Sequence, residues 1–117
     1  MTNEKKNLYI DAGTVIVNLL QEERGEYLQL KRLDKLVDYI YKQLVDLELI
    51  EDYSEIIFNV SFDAIERTVL YNNNLFELRG DTIFLKSDNI PLEILEKYRS
   101  DECIVKIIHN FVEQKVA

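Results

Sequence analysis

The chain has 117 residues, of which 47% are hydrophobic and 31% are charged, and this predicts one folded domain over residues 1–117 with a single core. No stretch reaches the roughly 18 consecutive apolar residues of a membrane-spanning helix, and a net charge of −8 opposes nucleic-acid binding unless the basic residues gather on one face. The N-terminus has no hydrophobic signal segment, and the single cysteine, Cys103, cannot form an internal disulfide, so we expect a cytoplasmic protein.

The first predicted element is an amphipathic helix. Its apolar residues recur at the spacing of one helix face, and they are Leu8, Ala12, Val15, Ile16, Leu19 and Leu20. Two starts fit this pattern. Either Gly13 lies in the helix interior, where it costs about 1 kcal/mol relative to alanine, or Asp11 caps the helix and most of that cost disappears. Gly25 is the expected end of the helix.

Within this segment, Asp11-Ala12-Gly13-Thr14 resembles the first phosphate loop of the actin-like ATPases. The resemblance would imply that the aspartate serves a metal ion and that the glycine–threonine backbone holds phosphate. It extends over only these four residues, and those enzymes close two large α/β lobes over their nucleotide, for which this chain is too short. We therefore predict a helix and no cofactor.

The segment 28–49 has the clearest helical pattern. Its apolar residues are spaced alternately three and four apart, and they are Leu30, Leu33, Val37, Ile40, Leu44 and Leu47. This spacing is also that of a coiled-coil heptad, which leaves open a homodimer through this helix. Leu36, Tyr41 and Val45 widen the apolar stripe, however, and favour a helix buried in the core of its own domain.

Residues 53–60 are compatible with a strand or with a helix, because their apolar positions fit both periods. A helix is predicted from about 61 to 72. Ser61 is a suitable N-cap, and Asp63 lies in the first turn, where the helix dipole favours a carboxylate. Three consecutive asparagines then end the helix.

A β-hairpin is predicted over about 75–86, because Gly80-Asp81 forms a two-residue loop between two alternating segments. The loop fixes four pairs of residues: Arg79 with Thr82, Leu78 with Ile83, Glu77 with Phe84, and Phe76 with Leu85. One face of the hairpin should meet the core, and its residues are Phe76, Leu78, Ile83 and Leu85.

Two further helices complete the prediction. Pro91 should begin a short helix that bears Leu92, Leu95 and Tyr98. Ser100 should cap a last helix with the apolar stripe Ile104, Ile107, Ile108 and Phe111. The predicted fold class is α+β and mostly helical, with about five helices and one two-stranded hairpin. A helix followed directly by a hairpin is also the order of winged-helix proteins, so a winged-helix-like topology remains open.

The sequence offers little for catalysis. Cys103 and His109 are six positions apart, so on one helix they point in different directions. With one histidine and one cysteine, a zinc site is not expected. The paired carboxylates come without an apolar pocket that would raise a pKa. We expect no enzyme activity, no catalytic residues, no metal site and no cofactor.

Acidic residues dominate the middle of the chain. Between Gln43 and Glu66 there are seven carboxylates and no lysine or arginine. This distribution is compatible with an ordinary solvated face or with a surface that binds a basic protein. The candidate acidic contact surface consists of Asp46, Glu48, Glu51, Asp52 and Glu55.

Two functions follow from these patterns. The first is a non-catalytic protein-binding accessory or regulatory module of a bacterium, for which a phage or plasmid origin also fits the composition. The alternative is a winged-helix-like DNA-binding transcriptional regulator. Its candidate contacts are Arg67, Asn73, Arg79 and Lys86, with Asn72 and Asn74 beside them. The same elements carry about as many acidic as basic residues, and this counts against DNA binding.

Overall fold

A computed structural model describes residues 8–48 and 56–114 of the chain. In that part the fold is α+β and mostly helical, with five helices, as the sequence predicts. The elements in chain order are β1 (Leu8–Asp11), α1 (Ala12–Glu23), β2 (Tyr27–Gln29), α2 (Leu30–Asp46), β3 (Ile56–Asn59), α3 (Phe62–Tyr71), β4 (Phe76–Arg79), β5 (Thr82–Leu85), α4 (Leu92–Lys97) and α5 (Glu102–Gln114).

Helix α1 begins at a side-chain cap. Oδ1 of Asp11 accepts hydrogen bonds from the backbone N and the Oγ1 of Thr14, each at 2.8 Å. Of the two predicted starts, the capped one is therefore confirmed. The helix ends at Arg24, which adopts a left-handed backbone with φ 52°, one residue before the expected stop at Gly25.

The residues before α1 form a strand that the helical pattern concealed. β1 pairs in parallel with β3, in a register that sets Leu8 beside Ile56 and Asp11 beside Asn59. The ambiguity over residues 53–60 is thus resolved in favour of a strand over β3. Ile10, which helical spacing leaves off the apolar face, is only 1% exposed.

The hairpin of β4 and β5 has the predicted register, with Leu78 opposite Ile83 and Glu77 opposite Phe84. Gly80 in its loop has φ 60°, which glycine adopts without strain. A third strand was not predicted: β2 pairs antiparallel with β5 and gives the sheet order β2-β5-β4. Three residues between two helices are too few to show a strand period.

The core is centred on α1, which is buried on nearly all sides. Its buried residues are Ala12, Gly13, Val15, Ile16, Val17, Leu19 and Leu20. Helix α2 contributes one stripe, Leu33, Leu36, Ile40 and Leu44, and α5 contributes Ile104, Ile107 and Ile108. Three residues of the heptad-like stripe of α2 (Leu33, Ile40 and Leu44) are therefore buried in the core of their own chain.

The last two helices differ from the prediction in detail. Helix α4 begins at Leu92, one residue after Pro91, and Leu92 is 70% exposed. Helix α5 begins at Glu102, and the backbone N of Val105 donates to the carbonyl of Asp101, so Asp101 rather than Ser100 holds the position before the helix. Among the described residues, no helix is both long enough and apolar enough to cross a membrane.

Candidate functional site

The predicted acidic contact surface lies only partly within the described residues. Asp46 is the last residue of α2, and Glu48 follows it with a left-handed backbone of φ 60°; both side chains are exposed. Glu51, Asp52 and Glu55 lie outside the described residues.

The predicted DNA contacts lie on or beside the hairpin and α3. Two of the basic residues, however, already contact other groups of the protein. Nε of Arg79 lies 2.9 Å from Oε2 of Glu77, and its guanidinium lies over the ring of Phe84 at 4.6 Å. Nζ of Lys86 donates to the carbonyl of Asn73 at 2.9 Å. Arg67 has no ion-pair partner in the described part of the chain.

Asn72 is not available to DNA, because it is only 7% exposed. Its Nδ2 donates to the carbonyl of Thr68 at 2.8 Å and to the phenol oxygen of Tyr98 at 2.9 Å. The interpretation of this asparagine as a contact residue is wrong for a physical reason. A buried amide must be hydrogen-bonded within the protein, and Asn72 serves to join α3 to the segment after α4.

Arg67 lines a cleft that assembles residues from distant parts of the sequence. The cleft has a volume of about 240 Å³ and lies where β1 and β3 end and α1 begins. Its lining residues are Tyr9, Asp11, Ala12, Asn59, Ala64, Arg67, Thr68, Tyr71 and Tyr98. We call it the tyrosine cleft. In sheets with parallel strands, ligands commonly bind at the carboxyl ends of those strands.

Tyr98 is the most firmly held of the three tyrosines. Nδ2 of Asn18 in α1 donates to its carbonyl at 3.1 Å, and Asn72 of α3 donates to its hydroxyl. Its ring lies against Gly13, so closely that a Cβ at that position would overlap the ring atoms. Glycine is therefore required at position 13, because the ring of Tyr98 occupies the space that a Cβ would need.

The hydrogen bond from Asn72 determines whether the hydroxyl of Tyr98 can act as a donor or as an acceptor toward a ligand. Since the same amide nitrogen also donates to the carbonyl of Thr68, it must be the donor toward the phenol. A phenol that accepts still has its own O–H to donate. Tyr98, which lines the cleft, therefore keeps a phenol O–H that is free to donate.

The other polar groups of the cleft are arranged around the ends of the two strands. Nδ2 of Asn59 donates to the phenol oxygen of Tyr9 at 3.1 Å. Asp11 uses Oδ1 to cap α1, and Arg67 supplies one positive charge. The cleft thus combines aromatic surface with both kinds of charge and at least one phenol donor.

Exposed apolar side chains also lie on β1 and along α3, beside the cleft. Tyr9 is 59% exposed, and Phe62, Leu70 and Tyr71 are exposed on α3. Asp63, Glu66, Arg67 and Leu70 line an open depression on the same helix. We call this combined area the β1–α3 face.

Sequence patterns missed the aromatic members of this site. Tyr98 was predicted only as a residue of the short helix after Pro91, and Tyr9 and Tyr71 have no special spacing. One signal was available: Asp11 and Asn59 each follow an apolar run, as polar residues at the ends of two paired strands do. In the described part of the chain, no three histidine, cysteine or acidic residues gather as metal ligands.

The chain was compared with protein-family models, with curated protein sequences and with solved structures, and none of the three comparisons gave a match.

Proposed function

We propose that the chain is a non-catalytic protein-binding module, an accessory or regulatory protein of a bacterium, and that its partner binds the β1–α3 face. One observation supports this most. Seven large hydrophobic side chains are exposed among the described residues, and four of them lie on β1 and α3: Tyr9, Phe62, Leu70 and Tyr71.

Proximity distinguishes these residues from scattered apolar residues, because Tyr9 and Tyr71 line one cleft and Leu70 lines a depression that shares Arg67 with it. Single exposed hydrophobic residues are common, whereas contiguous patches mark interaction sites. Tyrosine is also enriched in protein interfaces. Burying one such side chain against a partner contributes about 1.5–3 kcal/mol, so three or four of them supply much of the affinity of a specific complex.

A matched pair of leucines tests this proposal. Leu70 lies on the β1–α3 face and is 68% exposed, and Leu92 lies on α4 and is 70% exposed. Wild type, Leu70→Glu and Leu92→Glu are immobilised and used to capture proteins from a lysate of the native host. We expect Leu70→Glu to lose a partner that the other two retain. Identical sets of captured proteins would remove the β1–α3 face from consideration.

The acidic contact surface is a second form of the same function. Changing Glu51, Asp52 and Glu55 together to lysine reverses the charge of these residues and leaves every residue of the β1–α3 face unchanged in sequence. A partner that binds through acidic residues is lost from this variant, and the loss is mimicked by high salt. Retention of every partner would mean that these acids only keep the chain in solution.

A DNA-binding regulator is the alternative, and the third strand gives it specific support. The order α1, β2, α2, α3, β4, β5 with the sheet β2-β5-β4 is the order of a winged-helix domain, in which α3 would be the recognition helix. β3 and its connection are an insertion into that plan. This hypothesis predicts duplex binding at about 50 mM salt that weakens steeply with salt and is lost in Arg67→Glu. Absence of binding at low salt would exclude it.

A further inference from the structure

The tyrosine cleft has features that specify the chemistry of what it binds. It is lined by Tyr9 from β1, Tyr71 from α3 and Tyr98 from the segment after α4. Three aromatic residues from separate elements thus meet in one concave site. Its volume of about 240 Å³ is below the range of about 300–1,000 Å³ of sites that enclose a whole small molecule.

One hydrogen-bond donor of the cleft is positioned before any ligand arrives. Tyr98 is held by Asn18, Asn72 and the close approach of Gly13, and its O–H remains to be donated. A fixed donor on a cleft lined by aromatic residues suits a carbonyl oxygen that has no partner of its own. Preorganisation of this kind lowers the ordering cost of binding.

Proline-rich segments have the complementary properties. In the polyproline II conformation the backbone carbonyls make no internal hydrogen bonds, and the proline rings pack on aromatic side chains. Such segments are already extended, so they lose little conformational freedom on binding. One or two proline residues would occupy the cleft, and the flanking residues would lie on the exposed rings of Tyr9 and Tyr71.

The charges around the cleft favour ligands with basic residues. Asp11 lines it, and Asp63 and Glu66 line the adjoining depression on α3, against the single positive charge of Arg67. This excess of acid disfavours anionic ligands such as phosphate, and it favours basic residues beside the prolines.

We infer that the tyrosine cleft is a binding site for an extended, proline-rich segment with basic flanking residues. The inference rests on the proposed protein-binding function and names the class of sequence by which the partner is recognised.

Amide chemical shifts measured by NMR test this with defined peptides. A blocked oligoproline peptide flanked by arginine should shift the resonances of Tyr9, Asn59, Arg67 and Tyr71, with a Kd on the order of 1 mM or tighter. A Gly-Ser peptide with the same flanks should not. Oligoproline flanked by glutamate should bind more weakly, and the difference should shrink as salt is added.

Two strand tyrosines provide the matched variants, because Tyr9 and Tyr27 are each 59% exposed and lie on different sheets. Tyr9→Ala should weaken oligoproline binding about tenfold, and Tyr27→Ala should leave it unchanged. Tyr98→Phe keeps the ring and removes only the donor, so it should weaken binding about threefold to fivefold.

The following results would contradict the inference or limit it. No shifts with oligoproline, equal shifts with the Gly-Ser peptide, or shifts that centre on Tyr27 overturn the inference. If oligoproline fails while Leu70→Glu still loses its partner, the protein-binding function stands and only the proline-rich ligand is wrong.

Discussion

The two sheets of this fold contrast in how they form and in what they support. In the antiparallel sheet, β4 and β5 are joined by a two-residue loop, and their register follows from that loop alone. In the parallel pair, β1 and β3 are separated in sequence by α1, β2 and α2. The antiparallel hairpin is specified locally, whereas the parallel pair depends on the whole domain, and the tyrosine cleft is built on the latter.

Each region contains one glycine with a structural requirement, and the two requirements differ. Gly80 has a positive φ and open space where a Cβ would stand. Gly13 has an ordinary helical position, but the ring of Tyr98 occupies that space. Replacing Gly80 therefore measures the stability cost of a strained backbone, and replacing Gly13 measures the stability cost of a steric overlap.

Gly13→Ala should have the largest effect. The new Cβ would displace the Tyr98 ring and break its hydrogen bond from Asn72, a combined cost of about 2–3 kcal/mol after the gain in helix propensity. Urea unfolding followed by far-UV circular dichroism measures this loss. In a Tyr98→Ala background the same change should become neutral or stabilising, by up to about 1 kcal/mol. Simple additivity of the two changes would show that the ring is not the cause.

Gly80→Ala should cost about 1–2 kcal/mol, because an L-residue is strained at this backbone conformation. The matched variant is Gly80→Asn, which tolerates positive φ and should cost less. Unlike the change at Gly13, this cost should be the same in the Tyr98→Ala background, since the two sites share no contact. A different cost of Gly80→Ala in the Tyr98→Ala background would show that the hairpin loop and the tyrosine cleft are energetically coupled.

Tyr98→Phe should cost about 1 kcal/mol of unfolding free energy, because one N–H of the buried Asn72 loses its acceptor. The ring, and with it the packing on Gly13, is unchanged. Tyr27→Phe in the antiparallel sheet is the control, since the hydroxyl of that exposed residue can be solvated by water. Equal stability of the two variants would show that the hydrogen bond of Asn72 contributes nothing net.

The smallest expected effect lies outside both sheets, where α1 and α5 meet. Nδ1 of His109 lies 2.5 Å from Oε1 of Glu22, and Nε2 lies 3.6 Å from Oε1 of Glu113. The hydrogen bond that His109 donates to Glu22, followed by the negative charge of Glu22, raises the pKa of His109 above its usual 6.5. The histidine is exposed, so solvent screens the interaction and we expect only a weak dependence on pH.

The sign of that dependence follows from the raised pKa. The protonated form is favoured in the folded state, so its contribution is fully present below the unfolded-state pKa and is lost as pH rises through the folded-state pKa. Wild type should therefore exceed His109→Gln in stability by more at about pH 5.5 than at about pH 8.5. Parallel pH profiles from thermal unfolding would contradict this.

Local signals explain which features were predictable from the sequence. The register of the hairpin, the cap at Asp11 and the cap at Ser61 each depend on a few adjacent residues. Strand β1 was hidden because its apolar run continues into α1 at helical spacing. Only burial of Ile10 distinguishes the two patterns, and burial is decided by the rest of the fold.

The candidate site was harder to predict, since its members are brought together by tertiary contacts. Arg67 was identified from its charge, but its neighbours Tyr9 and Tyr98 belong to segments at opposite ends of the chain. Asn72 shows the same limit: as a surface asparagine it suggested a nucleic-acid contact, and as a buried one it positions a tyrosine. The sequence shows which residue types are present, but the tertiary fold determines which of them contact one another.

The position of Tyr98 also has a consequence for the order of folding. Its contacts with Gly13, Asn18 and Asn72 close long loops, and contacts of that kind form after local ones because their entropy cost is higher. Helical signal and the hairpin should therefore appear first in a refolding experiment, and the tyrosine cleft should be completed last. A ligand of the cleft would then bind only chains that have finished folding, and its binding rate would report that final step.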